Sequence, residues 1–171
     1  MRKLYVILVL ILFFAGYVFS ASRMEKILAE GDDLLLPLAP VDPRALLMGD
    51  YMDLDYTLNN EIWRAYKSGG KSAPSEYAVV KAEKAPFSRA VSFSRFDDGT
   101  PLGEGEYRVR FKVRGSRVTS AAPAFYFEEG QGRRYERARY GRVKIGPGGK
   151  TLLVALCDEN EQDIAAARGK E

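Results

Sequence analysis

The chain opens with one long apolar block. Residues 4–19 are apolar throughout, and the uncharged stretch extends from Leu4 to Ser22. At a rise of about 1.5 Å per residue, a helix of that length spans roughly 28 Å, close to the hydrocarbon thickness of a bilayer. The pattern therefore predicts a transmembrane helix, and the helical spacing of residues 22–30 predicts that the helix continues as far as Gly31.

The residues that flank this block indicate its orientation. Arg2 and Lys3 precede it, and positive charge favours the cytoplasmic side, so the rest of the chain is expected outside the cytoplasm. The alternative is a cleaved signal peptide with a small-residue site at residues 18–20, which also exports the body. The apolar region of a signal peptide usually runs for about 7–15 residues, so the longer block favours an uncleaved anchor.

The hydrophobic period changes after the anchor. Asp42 is suited to the N-cap of a short helical turn, Pro43 to its first position and Gly49 to its end. Apolar and polar residues then alternate over residues 51–58. Alternation of this kind predicts a half-buried strand whose even-numbered side chains share the inner face.

Helical spacing returns at residues 59–66, where Asn59 or Asn60 is suited to the N-cap. A loop marked by glycine and proline follows at residues 67–76. Beyond it, several segments carry the alternation and the β-branched or aromatic residues of strands, and the last two flank a Gly-Pro-Gly-Gly turn as in a hairpin. These segments are YAVVKAE (77–83), FSRAVSFSR (87–95), EYRVRFKVRG (106–115), PAFYFEE (123–129), GRVKI (141–145) and KTLLVALC (150–157).

About six or seven short strands with one or two short helices predict a mainly β fold, α+β at most. We expect an N-terminal transmembrane helix followed by a small antiparallel sheet or barrel-like domain. The predicted segments are a cytoplasmic N-terminus (1–3), the anchor (4–22), a membrane-proximal helix and turn (23–48), an extracytoplasmic β-rich domain (49–157) and a polar tail (158–171).

The charge of the body argues against one class of partner. The net charge of +3 equals the contribution of Arg2, Lys3 and Arg23, so the remaining basic residues balance the acidic ones. A neutral body lacks the basic surface that binding to a phosphate backbone requires, which excludes nucleic acid. The chain has one cysteine and no histidine, so it has no internal disulfide and lacks the commonest general base and metal ligand. We predict no cofactor and no metal site.

The segment GDYMDLDY (49–56) fits the pattern Gly-Asp-Tyr-x-x-Leu-x-Tyr at every fixed position. Through this motif, the lead-in at residues 39–44 and the N-terminal anchor, the chain resembles the bacterial GDYXXLXY family. FYFEEGQG (125–132) and the closing hairpin are similar to later segments of that family. One departure is Met48, because members often carry a basic residue just before the motif glycine.

The resemblance implies a location and a type of partner, with no established biochemical activity. Members are bacterial and generally carry an N-terminal membrane helix. We therefore expect a single-pass protein of the bacterial inner membrane with its body in the periplasm. The family is associated with multi-span membrane proteins, so we expect an integral membrane protein as partner, together with the bilayer around residues 4–22.

The motif has two interpretations. In the first it shapes the fold, because Gly49 permits a turn with positive φ, Leu54 is buried and Tyr56 anchors the strand. In the second, Asp50 pairs with Arg44. These two residues and Tyr51 then line a small polar recess that receives a peptide, a lipid headgroup or a partner loop. The candidate binding or motif residues are Asp42, Pro43, Arg44, Gly49, Asp50, Tyr51, Leu54 and Tyr56.

Two further features have competing interpretations. A basic cluster lies within QGRRYERARY (131–140) and just after it. Either it touches anionic lipid headgroups, or it forms a solvated surface paired with nearby glutamates. Its members are Arg133, Arg134, Arg137, Arg139 and Arg142. Cys157 alternates within an apolar strand, which favours a buried structural thiol over a nucleophile.

These observations favour a non-enzymatic accessory or interaction module held beside a membrane partner. The anchor raises the effective concentration of the body for a membrane neighbour, and the usual sets of catalytic residues are absent or poorly spaced. The alternative is a membrane-bound Ser/Lys hydrolase similar to signal peptidases, which needs no histidine. Its candidate serines are Ser20 and Ser22, and its candidate bases are Lys81 and Lys84.

Overall fold

A computed structural model describes residues 2–39, 51–69, 75–84 and 88–166. It begins with one long helix, α1 (Arg2–Glu30). The large apolar side chains between Tyr5 and Phe19 are all more than half exposed within the described chain. Helix α1 is long and apolar enough to cross a membrane, and a signal sequence near an N-terminus has the same properties. The helix therefore fits both interpretations of the apolar block.

The rest of the described chain is mainly β-structure. Helices α2 (Thr57–Ser68) and α3 (Gly132–Tyr135) and a 3₁₀ turn (Pro147–Gly149) accompany the strands. The strands are β1 (Asp32–Pro37), β2 (Tyr51–Asp53), β3 (Tyr77–Lys84), β4 (Ser88–Phe96), β5 (Glu106–Arg110), β6 (Lys112–Arg114), β7 (Arg117–Thr119), β8 (Ala124–Tyr126), β9 (Tyr140–Ile145) and β10 (Thr151–Cys157).

A six-stranded sheet in the order β10-β9-β1-β4-β3-β5 forms the centre of the body. Strand β1 pairs with β4 in parallel, and the other pairs of this sheet are antiparallel. Two small ribbons, β2-β8 and β6-β7, complete the described strands. The prediction of a mainly β fold behind an N-terminal apolar helix is confirmed, although the sheet is mixed and the described strands do not close a barrel.

The core lies between one face of this sheet and helix α2. Leu34 and Leu36 of β1 project into it with Val143 of β9, and all three are fully buried. Helix α2 contributes Leu58 and Ile62 to the same cluster. The i, i+4 spacing of these two residues gives α2 one apolar face, which explains why it packs on the sheet.

The segment predicted as membrane-proximal helix and turn, 23–48, also contains a central strand. Helix α1 ends at Glu30 and β1 follows after the single residue Gly31. Leu34, Leu35 and Leu36 are all fully buried, so both faces of β1 are covered. A strand buried on both faces shows no alternation of apolar and polar residues, and the period-two pattern therefore missed it.

The strand predicted over residues 51–58 is shorter than expected. Strand β2 ends at Asp53, and α2 begins at Thr57 with Tyr56 in the N-cap position. The prediction of Asn59 or Asn60 as the cap is therefore wrong. The carboxylate of Asp55 accepts hydrogen bonds from the Tyr56 amide at 2.9 Å and from Asn59 Nδ2 at 3.2 Å. These bonds stabilise a helix that begins at Thr57. They also engage the Asn59 side chain, which therefore does not cap the helix.

The described part of the predicted polar tail, residues 158–166, folds back onto the sheet. The Ile164 amide donates to the Leu156 carbonyl at 3.0 Å, and the Ile164 side chain is buried. Asp163 forms an ion pair with Arg142 of β9 at 3.6 Å. The tail covers part of the sheet surface because the Ile164 side chain is buried there and the Asp163 carboxylate pairs with Arg142.

Candidate functional site

The motif strand β2 pairs with β8, which overlaps the start of the second segment that carried the family resemblance. The antiparallel register places Tyr51 opposite Tyr126 and Met52 opposite Phe125. The rings of Tyr51 and Tyr126 lie 5.5 Å apart, tilted by 37°. Residues far apart in the sequence thus form one surface feature, the tyrosine pair Tyr51–Tyr126.

Burial alternates along this ribbon. Met52 is buried, Tyr51 is half-buried and Asp53 is exposed. Tyr126 is 74% exposed. The predicted alternation of the motif therefore holds for burial, and the motif tyrosine that remains near the surface is Tyr51.

Tyr56 has a structural position. Its side chain is fully buried, and its hydroxyl donates to the Ala122 carbonyl at 3.0 Å. Burial raises the pKa of this hydroxyl, because removal from water disfavours the phenolate. A Cβ at Gly141 would lie 3.0 Å from Tyr56 Cε1, so the absence of a side chain on β9 makes room for the ring. These contacts fit the interpretation of Tyr56 as an anchor.

A buried polar network ties the motif region to β7 and β10. The Asn59 side-chain oxygen accepts hydrogen bonds from the Ser120 amide at 3.1 Å and from the Ser120 hydroxyl at 2.7 Å. The Thr151 hydroxyl donates to the Ser120 carbonyl at 2.7 Å. Both Asn59 and Ser120 are buried. Because each polar group has a partner, the network specifies how α2 meets the strands.

The structure does not describe five of the candidate residues. These are Asp42, Pro43, Arg44, Gly49 and Asp50. The recess predicted for Arg44, Asp50 and Tyr51 therefore stays a prediction. The three described motif residues divide into two groups, because Leu54 and Tyr56 are buried whereas Tyr51 remains partly accessible.

A cleft of about 490 Å³ opens beside the exposed ring of Tyr126, and we call it the aromatic cleft. Two of its lining rings, those of Phe127 and Tyr135, stack with centroids 5.4 Å apart. Arg134 lies at its wall and donates from Nη2 to the Ala165 carbonyl of the tail at 3.3 Å. Its lining residues are Tyr126, Phe127, Glu128, Gln131, Arg134, Tyr135 and Ala165.

The sequence pattern predicts a strand over residues 123–129 but assigns no role to Tyr126. Its exposure depends on pairing with β2, and no local pattern specifies that pairing. A usable signal was present in the sequence, because an aromatic residue stands at a position where alternation predicts an outward-facing side chain.

The basic cluster is largely engaged within the protein. Arg139 donates from Nη1 to the Ala138 carbonyl at 3.0 Å, and Arg142 pairs with Asp163. Arg134 contacts the tail as described above, whereas Arg133 and Arg137 are exposed. The described contacts favour a surface paired within the protein, and its partners include backbone carbonyls and Asp163.

The hydrolase residues lie on separate elements. Ser20 and Ser22 are exposed on α1, and Lys81 is exposed on β3. Within the described part of the chain no hydrogen bond joins either serine to Lys81, so the Ser/Lys pairing stays a prediction. The thiol of Cys157 is buried as predicted, and burial raises its pKa to about 11. Among the described residues, no group of three or more carboxylate or thiol side chains is placed to hold a metal ion.

Comparison with known proteins identifies one family. No curated protein and no solved structure matches the chain. The sequence matches the family described as GDYXXLXY protein over residues 12–156, most of the 171-residue chain. The matched region includes about two thirds of α1, both strands of the tyrosine pair and almost all of the β9–β10 hairpin. The chain therefore belongs to the GDYXXLXY family.

Proposed function

We propose that this chain is a membrane-anchored binding module without an enzymatic activity of its own. In this proposal α1 stays in a bacterial inner membrane and holds the β-rich body in the periplasm. The tyrosine pair and the aromatic cleft contact the extracytoplasmic part of an integral membrane protein. The observation that carries the proposal is the exposure of Tyr126.

An exposed aromatic ring is unusual for this body. Beyond α1, Leu102 and Tyr126 are the exposed large hydrophobic side chains of the described residues. Tyr126 also has an aromatic partner, Tyr51, and an adjoining aromatic cleft. Aromatic side chains bury about 150–250 Å² each, so covering most of one ring contributes roughly 3 kcal/mol to an interface.

The anchor compensates for a small contact area. Two proteins held in the same membrane meet at a high effective concentration, so a modest interface is enough for a stable association. The neutral body provides no general electrostatic attraction, and association then depends on this local aromatic surface. Tyrosine suits such a surface because its ring is apolar while its hydroxyl remains hydrated in the unbound protein.

The test places a photo-activated cross-linking amino acid at position 126 of the full chain in living cells. We expect a cross-linked adduct that mass spectrometry identifies as an integral membrane protein. The same cross-linker at Leu102 is the control and should not give that adduct. A second variant, Tyr51→Ala, should weaken the adduct from position 126 while the protein still accumulates in the membrane.

Three outcomes would contradict the proposal. These are the absence of any protein adduct at position 126, an adduct with a soluble protein, and an adduct that forms equally well at position 102. Retention of the adduct in Tyr51→Ala would contradict the role of the tyrosine pair specifically. The amount of protein in the membrane fraction, measured for each variant, separates a loss of binding from a loss of folding.

A further inference from the structure

Helix α1 is joined to the sheet by packing as well as by the chain. The side chain of Ile27 is buried against the β9–β10 turn, where a Cβ added at Gly146 would overlap Ile27 Cγ1. Lys144 Nζ donates to the Gly31 carbonyl at 3.0 Å and to Asp33 Oδ2 at 2.8 Å. The end of α1 and the start of β1 are therefore held in one arrangement, without a flexible linker.

This packing creates a cleft of about 400 Å³ between the last turns of α1 and the sheet, which we call the anchor cleft. Its lining includes Lys26 and Glu30 of α1 and, from the body, Leu102 and Arg108. The 3₁₀ turn at Pro147–Gly149 closes one side. Leu102 lies in the loop before β5 and is 40% exposed.

The position of the anchor cleft along α1 sets its height above the membrane. Lys26 and Glu30 lie four and eight residues beyond Ser22, the last uncharged residue, which corresponds to roughly 6 and 12 Å along the helix. The headgroup layer on each side of the hydrocarbon core is about 5–7 Å thick. Lys26, which lines the anchor cleft together with Leu102, therefore lies within the headgroup layer, toward its outer side.

We infer that the face formed by Lys26, Leu102 and the 3₁₀ turn rests on the bilayer surface, with Leu102 inserted among the lipid headgroups. This inference depends on α1 being retained as the anchor, which belongs to the proposed function. It gives the body a fixed tilt and a second contact with lipid. The tyrosine pair is then presented to a neighbour in one orientation, which lowers the entropy lost on binding.

The charges around the anchor cleft indicate which lipid property matters. Lys26 pairs with Glu30 at 3.7 Å, and Arg108 pairs with Asp97 at 2.7 Å. Glu106 accepts a hydrogen bond from Arg95 at 2.7 Å. Because these charges are paired, the surface offers no excess of positive charge to anionic lipids. The contact is therefore apolar, and it should form on zwitterionic bilayers.

The test uses the full chain reconstituted into phosphatidylcholine vesicles whose headgroups carry a nitroxide label, which quenches tryptophan emission at close range. The variant Leu102→Trp reports on the inferred contact, and Tyr126→Trp is the matched control. Trp63 is retained in both variants, and the unmodified chain supplies its baseline. We expect the added emission at position 102 to be quenched in the nitroxide-labelled vesicles and the added emission at position 126 to be kept.

Equal quenching at the two positions, or none at position 102, would overturn the inference while leaving the anchor and the cross-linking result intact. Release of the chain from the vesicles by an alkaline wash would overturn both the anchor and the inference. Quenching at position 102 that appears only after anionic lipid is added to the vesicles would show an electrostatic contact, contrary to the paired charges. Leu102 is a surface residue, so its replacement is not expected to prevent folding.

Discussion

Replacing Tyr56 by phenylalanine tests whether the last motif tyrosine is structural. The change removes one atom, the hydroxyl oxygen that donates to the Ala122 carbonyl at 3.0 Å. The ring keeps its place beside Gly141, because its carbon atoms are unchanged. Any loss of stability therefore reports two effects. These are the loss of the hydrogen bond and the cost of leaving the Ala122 carbonyl without this donor.

The expected loss can be estimated from this geometry. A neutral hydrogen bond contributes about 0.5–1.5 kcal/mol net, and a carbonyl left without a partner in a partly buried site adds to the loss. Because Ala122 is only half-buried, water can partly replace the donor. We expect Tyr56→Phe to lower the free energy of unfolding by about 1–2 kcal/mol, and Tm by roughly 3–8 °C.

Urea unfolding of the detergent-solubilised chain, followed by the emission of Trp63, measures this change. Trp63 is partly buried in the core, so its emission reports unfolding of the body. The matched control is Tyr51→Phe, which removes a hydroxyl that has no hydrogen bond in the described structure. A surface change of this kind should cost less than about 0.5 kcal/mol. Equal stability of Tyr56→Phe and the unmodified chain would refute the reasoning, and so would equal losses in the two variants.

Burial of Tyr56 also predicts a dependence on pH. Its folded-state pKa is raised, so the unfolded chain releases this proton first as the pH rises above about 10. The contribution of Tyr56 to stability is complete below that pH and is lost above it. The stability difference between the unmodified chain and Tyr56→Phe should therefore shrink in alkaline solution. A difference that grows above pH 10 would contradict the assigned burial of the hydroxyl.

Three further changes test other parts of the fold. Gly146→Ala should destabilise the body by about 1–3 kcal/mol, because its Cβ would overlap Ile27, and Ile27→Ala should restore part of that loss in the double variant. Asn59→Ala should lower the free energy of unfolding by about 2 kcal/mol. In a double-mutant cycle, adding Ser120→Ala to Asn59→Ala should lower it little further. Cys157, with its raised pKa, should resist alkylation at pH 8 in the folded chain and react after urea is added, as measured by mass spectrometry.

Local patterns predicted those elements whose environment differs between their two faces. Strands β3, β4 and β9 lie within about one residue of their predicted bounds, and burial alternates along β9 as its sequence pattern predicts. The hairpin before Cys157 was also predicted, since its glycine-rich turn has a local cause. Strand β1 was missed because its three leucines are buried on both faces, and a short continuous apolar run does not identify the element.

The candidate site was only partly predictable. Residues 49–56 identified the family, and the alternation there distinguished buried Leu54 and Tyr56 from accessible Tyr51. The partner of Tyr51 was not identified, because the β2–β8 ladder joins residues far apart in the chain. The aromatic cleft likewise depends on α3 and the tail meeting at one place.

The sequence by itself determined that this chain begins with a helix able to cross a membrane, that a mainly β body follows, and that the chain belongs to the GDYXXLXY family. These properties depend on composition, period and a short motif, all of which are local. Only the tertiary structure decided that β1 is central, that Tyr126 stands exposed beside Tyr51, and that Ile27 fixes α1 to the sheet. Those arrangements arise from long-range pairing and packing. Local patterns permit several pairing partners for one segment, and the packing of the whole core favours one of them.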